Sequence, residues 1–161
     1  MTWTFLTLAT LRAYKPDDSE ALAKVYREAT RVLGRQAYSE EATRVWALYP
    51  EDMEEFRATL AEGLTLCAVS DGFPIAFGQL NPDDHIGFLY CHPAHARRGH
   101  ASAILGELEA HARSKKVATI RVEASGVAQP LFERFGYQII KEEKSIRHDL
   151  QFLRYKMSKQ L

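Results

Sequence analysis

Two cysteines are all that 161 residues contain, Cys67 and Cys91. Both sit in apolar runs, "LTLCAVS" and "GFLYCHP", so they read as buried free thiols of a reducing compartment and not as a disulfide framework. An excess of either charge is lacking too, because 21 Lys and Arg balance 21 Asp and Glu. A general nucleic-acid binder carries a basic excess, so no nucleic-acid partner is expected. No apolar run is long enough to span a bilayer. The first residues, "MTWTFLTLATLRAYK", lack the basic start and unbroken apolar core of a signal peptide. The expectation is a cytoplasmic chain with no membrane partner. Neither Gly-x-Gly-x-x-Gly after a strand nor Gly-Lys-Ser/Thr occurs, which removes the two familiar phosphate loops. Cys91, His92 and His95 lie close together, but no further ligands follow at metal-binding spacing, so no metal is expected.

What is present is an ordinary globular composition, 46% hydrophobic and 26% charged. The length suits one domain over residues 1–161 with a core that needs neither disulfides nor metal. A strand is expected from Thr7 to Ala13. Asp17 and Glu20 have capping-box spacing. Ala21, Leu22, Val25, Tyr26, Ala29, Val32 and Leu33 then form one face of a helix that Gly34 ends. "YSEEATRVWAL" reads as a second helix capped by Ser39, and "EDMEEFRATLAEG" as a third with Gly63 behind it. The period then changes. "LTLCAVS" and "FPIAFGQL" flank Asp71-Gly72 as a hairpin, and "HIGFLYC" is a third strand in series.

The next stretch, "CHPAHARRGHASAIL", breaks at Pro93 and turns basic before Gly99. It then opens a helix with Ile104, Leu105, Leu108 and Ala112 on its apolar face and Glu109–Arg113 as an exposed pair. "ATIRVEA" is a strand, "GVAQPLFERFG" a short helix with Pro130 in its first turn, and "YQIIKEE" and "LQFLRYKM" are the closing strands. Strand–helix–strand units mixed with hairpins give an α/β fold with a mixed sheet.

Helix starts favour carboxylates, yet here Arg97 and Arg98 precede the glycine. The free amides of a helix start and its dipole make a phosphate site. Gly99, Ala101 and Ser102 keep side chains clear of it, and the arginines neutralise the phosphates.

At these residues the chain resembles the GNAT superfamily of acetyl-CoA-dependent N-acetyltransferases. "ARRGHA" resembles that family's Gln/Arg-x-x-Gly-x-Gly/Ala segment, with Gly99 and Ala101 matching and Ala96 departing at the leading position. The order of "FLYCHP", the Gly99 helix, "TIRVEAS" and "PLFERFGY" follows the family from about Leu8 to Met157. "YSEEATRVWA" resembles a bacterial subgroup of it. The resemblance implies a GNAT-type mixed sheet of about seven strands, with the fourth and fifth splayed, flanked by four to five helices.

It also implies acetyl-CoA as co-substrate and a small-molecule or protein amine as acceptor, with the protein a monomer or homodimer. Leu89, Tyr90 and Cys91 would pair with the pantetheine arm. Arg97, Arg98, Gly99, His100, Ala101 and Ser102 would hold the pyrophosphate, and Ser125, Gln129 and Phe132 would line the far side. Many members protonate the departing thiolate with a tyrosine where this chain has Phe132. Tyr137, Tyr90 and Tyr38 are the substitutes, or the step needs no dedicated acid. Glu123 and His85 are the candidate bases, Glu123 late in a central strand and His85 at a solvated strand start. Tyr38 and Trp46 lie where the family shapes its acceptor pocket. The alternative is an acyl-CoA sensor or partner-binding module on the same fold without efficient turnover.

Charge is sorted along the chain. Residues 39–62 carry seven acids and two bases, and residues 91–116 five bases and two acids. That sorting predicts an acceptor of cationic character, drawn to the second and third helices.

Overall fold

Alternating apolar residues in the middle of the chain build a sheet that is buried on both sides. The structure, a computed structural model, describes residues 9–161. Strand β1 is Thr10–Ala13, and Thr7 and Leu8 of the expected strand lie outside the described residues. Helices α1 (Ser19–Val32), α2 (Glu40–Trp46) and α3 (Met53–Leu60) follow, then β2 (Leu64–Ser70), β3 (Phe73–Leu80) and β4 (His85–Cys91). Helix α4 (His100–Ser114), β5 (Thr119–Ser125), α5 (Gln129–Arg134), β6 (Gln138–Arg147) and β7 (Leu150–Gln160) complete the chain. The seven strands lie in the order β1-β2-β3-β4-β5-β7-β6, antiparallel except for the parallel β4–β5 pair.

In β3, residues 75–80 are all buried, because the alternating side chains feed two cores. Ala76 and Leu80 join Ile104, Leu105, Leu108 and Ala112 of α4 on one face. Phe77 joins Cys67, Leu22, Val25, Tyr26, Phe56 and Leu60 on the other, beneath α1 and α3. Helix α4 presses close to the sheet at Gly78, where a Cβ would stand 2.7 Å from Ile104 Cγ2.

The strand β4 carries the feature that makes room for chemistry. Its ladder to β3 pairs Phe88 with Gln79 and Ile86 with Leu80, so Gly87 is an extra, unpaired residue. Such a bulge bends its strand. On its other side β4 meets β5 only at His85↔Arg121 and Ile86↔Val122. Beyond those pairs the two strands part.

Several local expectations need correction. The Asp17–Glu20 capping box does not form. A 3₁₀ turn over Pro16–Asp18 intervenes, and Asp18 instead accepts from the Lys15 amide at 2.8 Å and pairs with Arg12 at 2.7 and 2.8 Å. Gly34 does not end α1 outright, since the chain winds on in a 3₁₀ turn through Gln36, and Val32 is exposed. Glu109 is not half of an exposed pair. It is buried, with Lys159 Nζ at 2.7 and 3.1 Å and Arg113 only at 3.9 Å. The strand β6 runs past Glu143 to Arg147 and turns tightly through His148 and Asp149, both at positive φ. Cys67 is buried as expected, but Cys91 is half-buried, and both thiols are free.

Candidate functional site

Where β4 and β5 part, a cavity of about 270 Å³ opens. Every second residue of a strand turns its N–H and C=O the same way, so beyond Ile86 the β5-facing edge of β4 offers backbone groups that β5 does not take up. Leu89 and Tyr90 line one wall, Glu123 and Ser125 the opposite one, and Phe132 of α5 closes one end. Tyr38 and Trp46 come in from the helical side, along with Tyr26 and Tyr49. The β6–β7 hairpin completes the enclosure with Ser145, Arg147, Phe152 and Arg154.

The two candidate bases are brought together. His85 Nε2 stands 2.6 Å from Glu123 Oε2, and His85 Nδ1 stands 3.1 Å from the Asn81 carbonyl oxygen. His85 is therefore half-buried between two acceptors and does not sit at a solvated strand start. Partial burial alone would raise the Glu123 carboxyl. The His85 hydrogen bond and the nearby Arg154 and Arg121 outweigh it and hold that carboxyl below its ordinary value. Glu123 is thus an ionised carboxylate at neutral pH, facing the cavity.

The candidate acids fall apart into three situations. Tyr90 faces the cavity, and burial among Tyr26 (centroids 4.6 Å apart) and Phe77 (5.7 Å) pushes its phenol well above the ordinary value. Tyr38 is committed elsewhere. Its hydroxyl donates to the Leu153 carbonyl at 2.6 Å and accepts from the Gly126 amide at 2.9 Å, which ties the end of β5 to β7. Tyr137 does not reach the cavity. It is buried behind Phe132, ring centroids 5.0 Å apart, and burial, followed by the Glu109 charge, raises its phenol. A group so placed has no path to a thiolate in the cleft. Phe132 is itself 1% exposed and acts as packing at the cavity's end.

Beyond the cleft, β4 ends at Cys91 and a 3₁₀ turn over Pro93–His95 leads to the basic turn. Arg97 adopts φ 60° and Gly99 φ 85°, and a Cβ on Gly99 would meet nothing within 4 Å. The first helical hydrogen bond is Ala103 N to Gly99 O, so the amides of His100, Ala101 and Ser102 are free of intrahelical partners. No acidic residue lies in that first turn. Arg97 and Arg98 are exposed beside it. The thiol of Cys91 points to the His92 and His95 carbonyls, and burial raises it to about 11. Neither Cys91 nor Gln129 lines the cavity. Ser125 does, while its hydroxyl accepts from the Ala128 amide at 3.1 Å.

The acids of residues 39–62 do not form an acceptor field. All seven are exposed and none lines the cavity. Glu40 is taken by Arg35 and Arg44, and Asp52 caps α3. The charged side chains of the cavity are Glu123, Arg147 and Arg154. Sequence reasoning missed both arginines. They lie on a hairpin whose tip folds back over the cleft, and nothing in their own neighbourhood announces that. Among the described residues no group of three or more His, Cys, Asp or Glu is gathered to hold a metal, and no helix is long and apolar enough to cross a membrane.

Comparison with known proteins bears on this geometry. Residues 35–159 match the model of an acetyltransferase (GNAT) domain. The chain is 30% identical over 134 residues to the uncharacterized N-acetyltransferase YafP of Escherichia coli (strain K12), covering 83% of this chain and 84% of that one. Among solved structures, it resembles a GCN5-related N-acetyltransferase from Rhodopseudomonas palustris with a TM-score of 0.92 and 29% identity, over 99% of this chain and 100% of that one. It shares the fold of the PaiA N-acetyltransferase from Thermoplasma acidophilum, solved in complex with coenzyme A. There the TM-score is 0.76 and the identity 19%, over 95% and 99% of the two chains.

Proposed function

The chain belongs to the GNAT family of acetyltransferases and is an N-acetyltransferase, and from that premise we propose that residues 1–161 act as one domain that moves the acetyl group of acetyl-CoA onto a primary amine of a small molecule. The observation that carries this reading is the parting of β4 and β5 over a cavity that holds an ionised carboxylate.

The residues fit the co-substrate. The free β5-facing edge of β4 beyond Ile86 suits the amide-bearing pantetheine arm. The free amides of His100, Ala101 and Ser102, with Arg97 and Arg98, suit its pyrophosphate. Open space around Gly99 leaves the approach clear. Acetyl-CoA supplies a thioester carbonyl to the cleft. In the transfer an N–C bond forms, the C–S bond breaks, the amine gives up a proton and the thiolate gains one.

Glu123 draws the acceptor's ammonium into the cleft and takes its proton, directly or through one water. His85 positions Glu123 through the 2.6 Å contact of its Nε2 with Oε2. A β4 backbone amide near Tyr90 steadies the negative charge that develops on the carbonyl oxygen. Of the two candidate acids that line the cleft, Tyr38 is committed to Leu153 and Gly126, which leaves Tyr90, and a CoA thiolate is also a good enough leaving group to depart unaided. Phe132 packs against the arm. Tyr38 and Trp46 wall the acceptor side.

A panel of primary amines, followed by release of free CoA and by mass of the product, tests this reading. Amine-dependent release that yields an N-acetylated product supports it. Binding of acetyl-CoA with no turnover on any amine would favour the acyl-CoA-binding module instead.

A further inference from the structure

The cavity contains one cation that the acetyl-transfer chemistry does not use. Arg147 ends β6, pairs across the hairpin with Leu150, and its side chain lines the cavity. The other arginine there, Arg154, is engaged with Glu143, which also receives Lys156 at 3.3 Å. Among the described residues, none of the ion pairs includes Arg147. Its neighbours are phenols. Burial holds Tyr26, Tyr49 and Tyr90 above their ordinary values, and the Arg147 charge pulls all three the other way. Glu55, whose charge acts on Tyr49, and Asp149 in the hairpin turn are both exposed, as is Arg147 itself at the edge of the cavity.

The phosphates of the co-substrate do not call for this cation, because their proposed seat is at the start of α4, outside the cavity. Arg147 is solvated in the empty cleft, and a ligand that covers its guanidinium offsets the lost water best with an anion. Its planar fork fits a carboxylate with two parallel hydrogen bonds. The remaining cavity charge is Glu123, which suits an ammonium. Aromatic walls lie around both. A space of about 270 Å³ suits a small molecule.

We propose that Arg147 is a specificity-determining residue that receives a carboxylate of the acceptor, so that the substrate class is a small zwitterion bearing a primary amine and a carboxylate. This inference rests on the acetyl-transfer reading above. It replaces the cationic acceptor that the charge pattern along the chain suggests, since the acids behind that expectation are outside the cavity.

Matched ligands test it in the full-length protein. Turnover is compared for L-phenylalanine, L-phenylalaninamide and phenethylamine, and for ω-amino carboxylates from β-alanine to ε-aminocaproate beside their amides. Calorimetry on the CoA-loaded protein compares the N-acetyl derivatives of the same acids and amides, which needs no turnover. At least one carboxylate should exceed its amide by roughly tenfold or more in kcat/KM and in affinity. Arg147→Gln should cut that ratio by about the same factor, mainly through KM, and Arg147→Lys should restore part of it. No carboxylate preference in either measurement overturns the proposal, and so does a preference that Arg147→Gln leaves intact. Failure of the wild type to bind acetyl-CoA would instead overturn the reading beneath it.

Discussion

Replacing Gly99 separates two effects that usually travel together. Any side chain there meets a left-handed φ of 85° but no neighbouring atom within 4 Å. The steric cost is therefore backbone strain alone, about 1–2 kcal/mol, and it is shared by Gly99→Ala and Gly99→Glu. The glutamate adds charge. A carboxylate at the N-terminus of α4 favours the helix dipole by about 0.3–1 kcal/mol, so Gly99→Glu should be no less stable than Gly99→Ala. Toward a pyrophosphate on the His100–Ser102 amides the same carboxylate is repulsive. At about 4 Å two unit charges repel by about 1 kcal/mol in water and about 4 kcal/mol at an effective dielectric of 20. Between those limits, the loss of acetyl-CoA affinity lies between several-fold and about a thousandfold, and an exposed turn carrying two arginines belongs near the middle. Calorimetric titration of acetyl-CoA into both variants, with urea unfolding alongside, reads the two effects separately. Affinity in Gly99→Glu that matches Gly99→Ala, with both folded, would refute the phosphate seat.

Glu123→Gln should lower kcat/KM by about a hundredfold or more with CoA affinity kept, and near-normal turnover would remove Glu123 from the chemistry. The folded Glu123 carboxyl sits below its ordinary value. The stability it contributes is thus present above the unfolded-state pKa and lost as pH falls through the folded one, and unfolding curves of the Gln variant should lack that acid-side decline. Phe132→Tyr should change kcat by less than about tenfold, or about 1.4 kcal/mol of barrier, while a larger gain would mean that the wild type lacks an acid it needs. Lys159→Met strands the buried Glu109 carboxylate and should cost about 3–5 kcal/mol in urea unfolding. A loss below about 1 kcal/mol would show that Glu109 has other support.

The element order could be read from the sequence because each element carries its own local signal. Ser39 caps its helix as expected, accepting from Ala42, and the structure adds Asp52 as the cap of α3, accepting from Glu54 and Glu55. Asp71 and Gly72 both take positive φ in the hairpin turn. Glu123 and Phe132 come to the cavity because strand and helix periodicity place them there. What escaped notice depends on partners far along the chain. Glu109 looks like the exposed end of an i,i+4 pair until Lys159, fifty residues on, reaches it. Tyr137 follows a glycine in a run that suggests the cleft, but its side chain falls on the α4 side of the sheet. Arg147 owes its place to the hairpin of β6 and β7, which runs on beyond Ser125, the last residue of β5, and lays Phe152 against Tyr38 at 5.6 Å. No local pattern records that overhang.

A crystal structure of the protein with bound acetyl-CoA tests the account most directly. It should show the pantetheine arm along the free edge of β4 beyond Ile86, the pyrophosphate on the amides of His100 to Ser102, and the acetyl group in the cavity facing Glu123. Acetyl-CoA bound elsewhere, or an acetyl group screened from Glu123 by the protein, would contradict it.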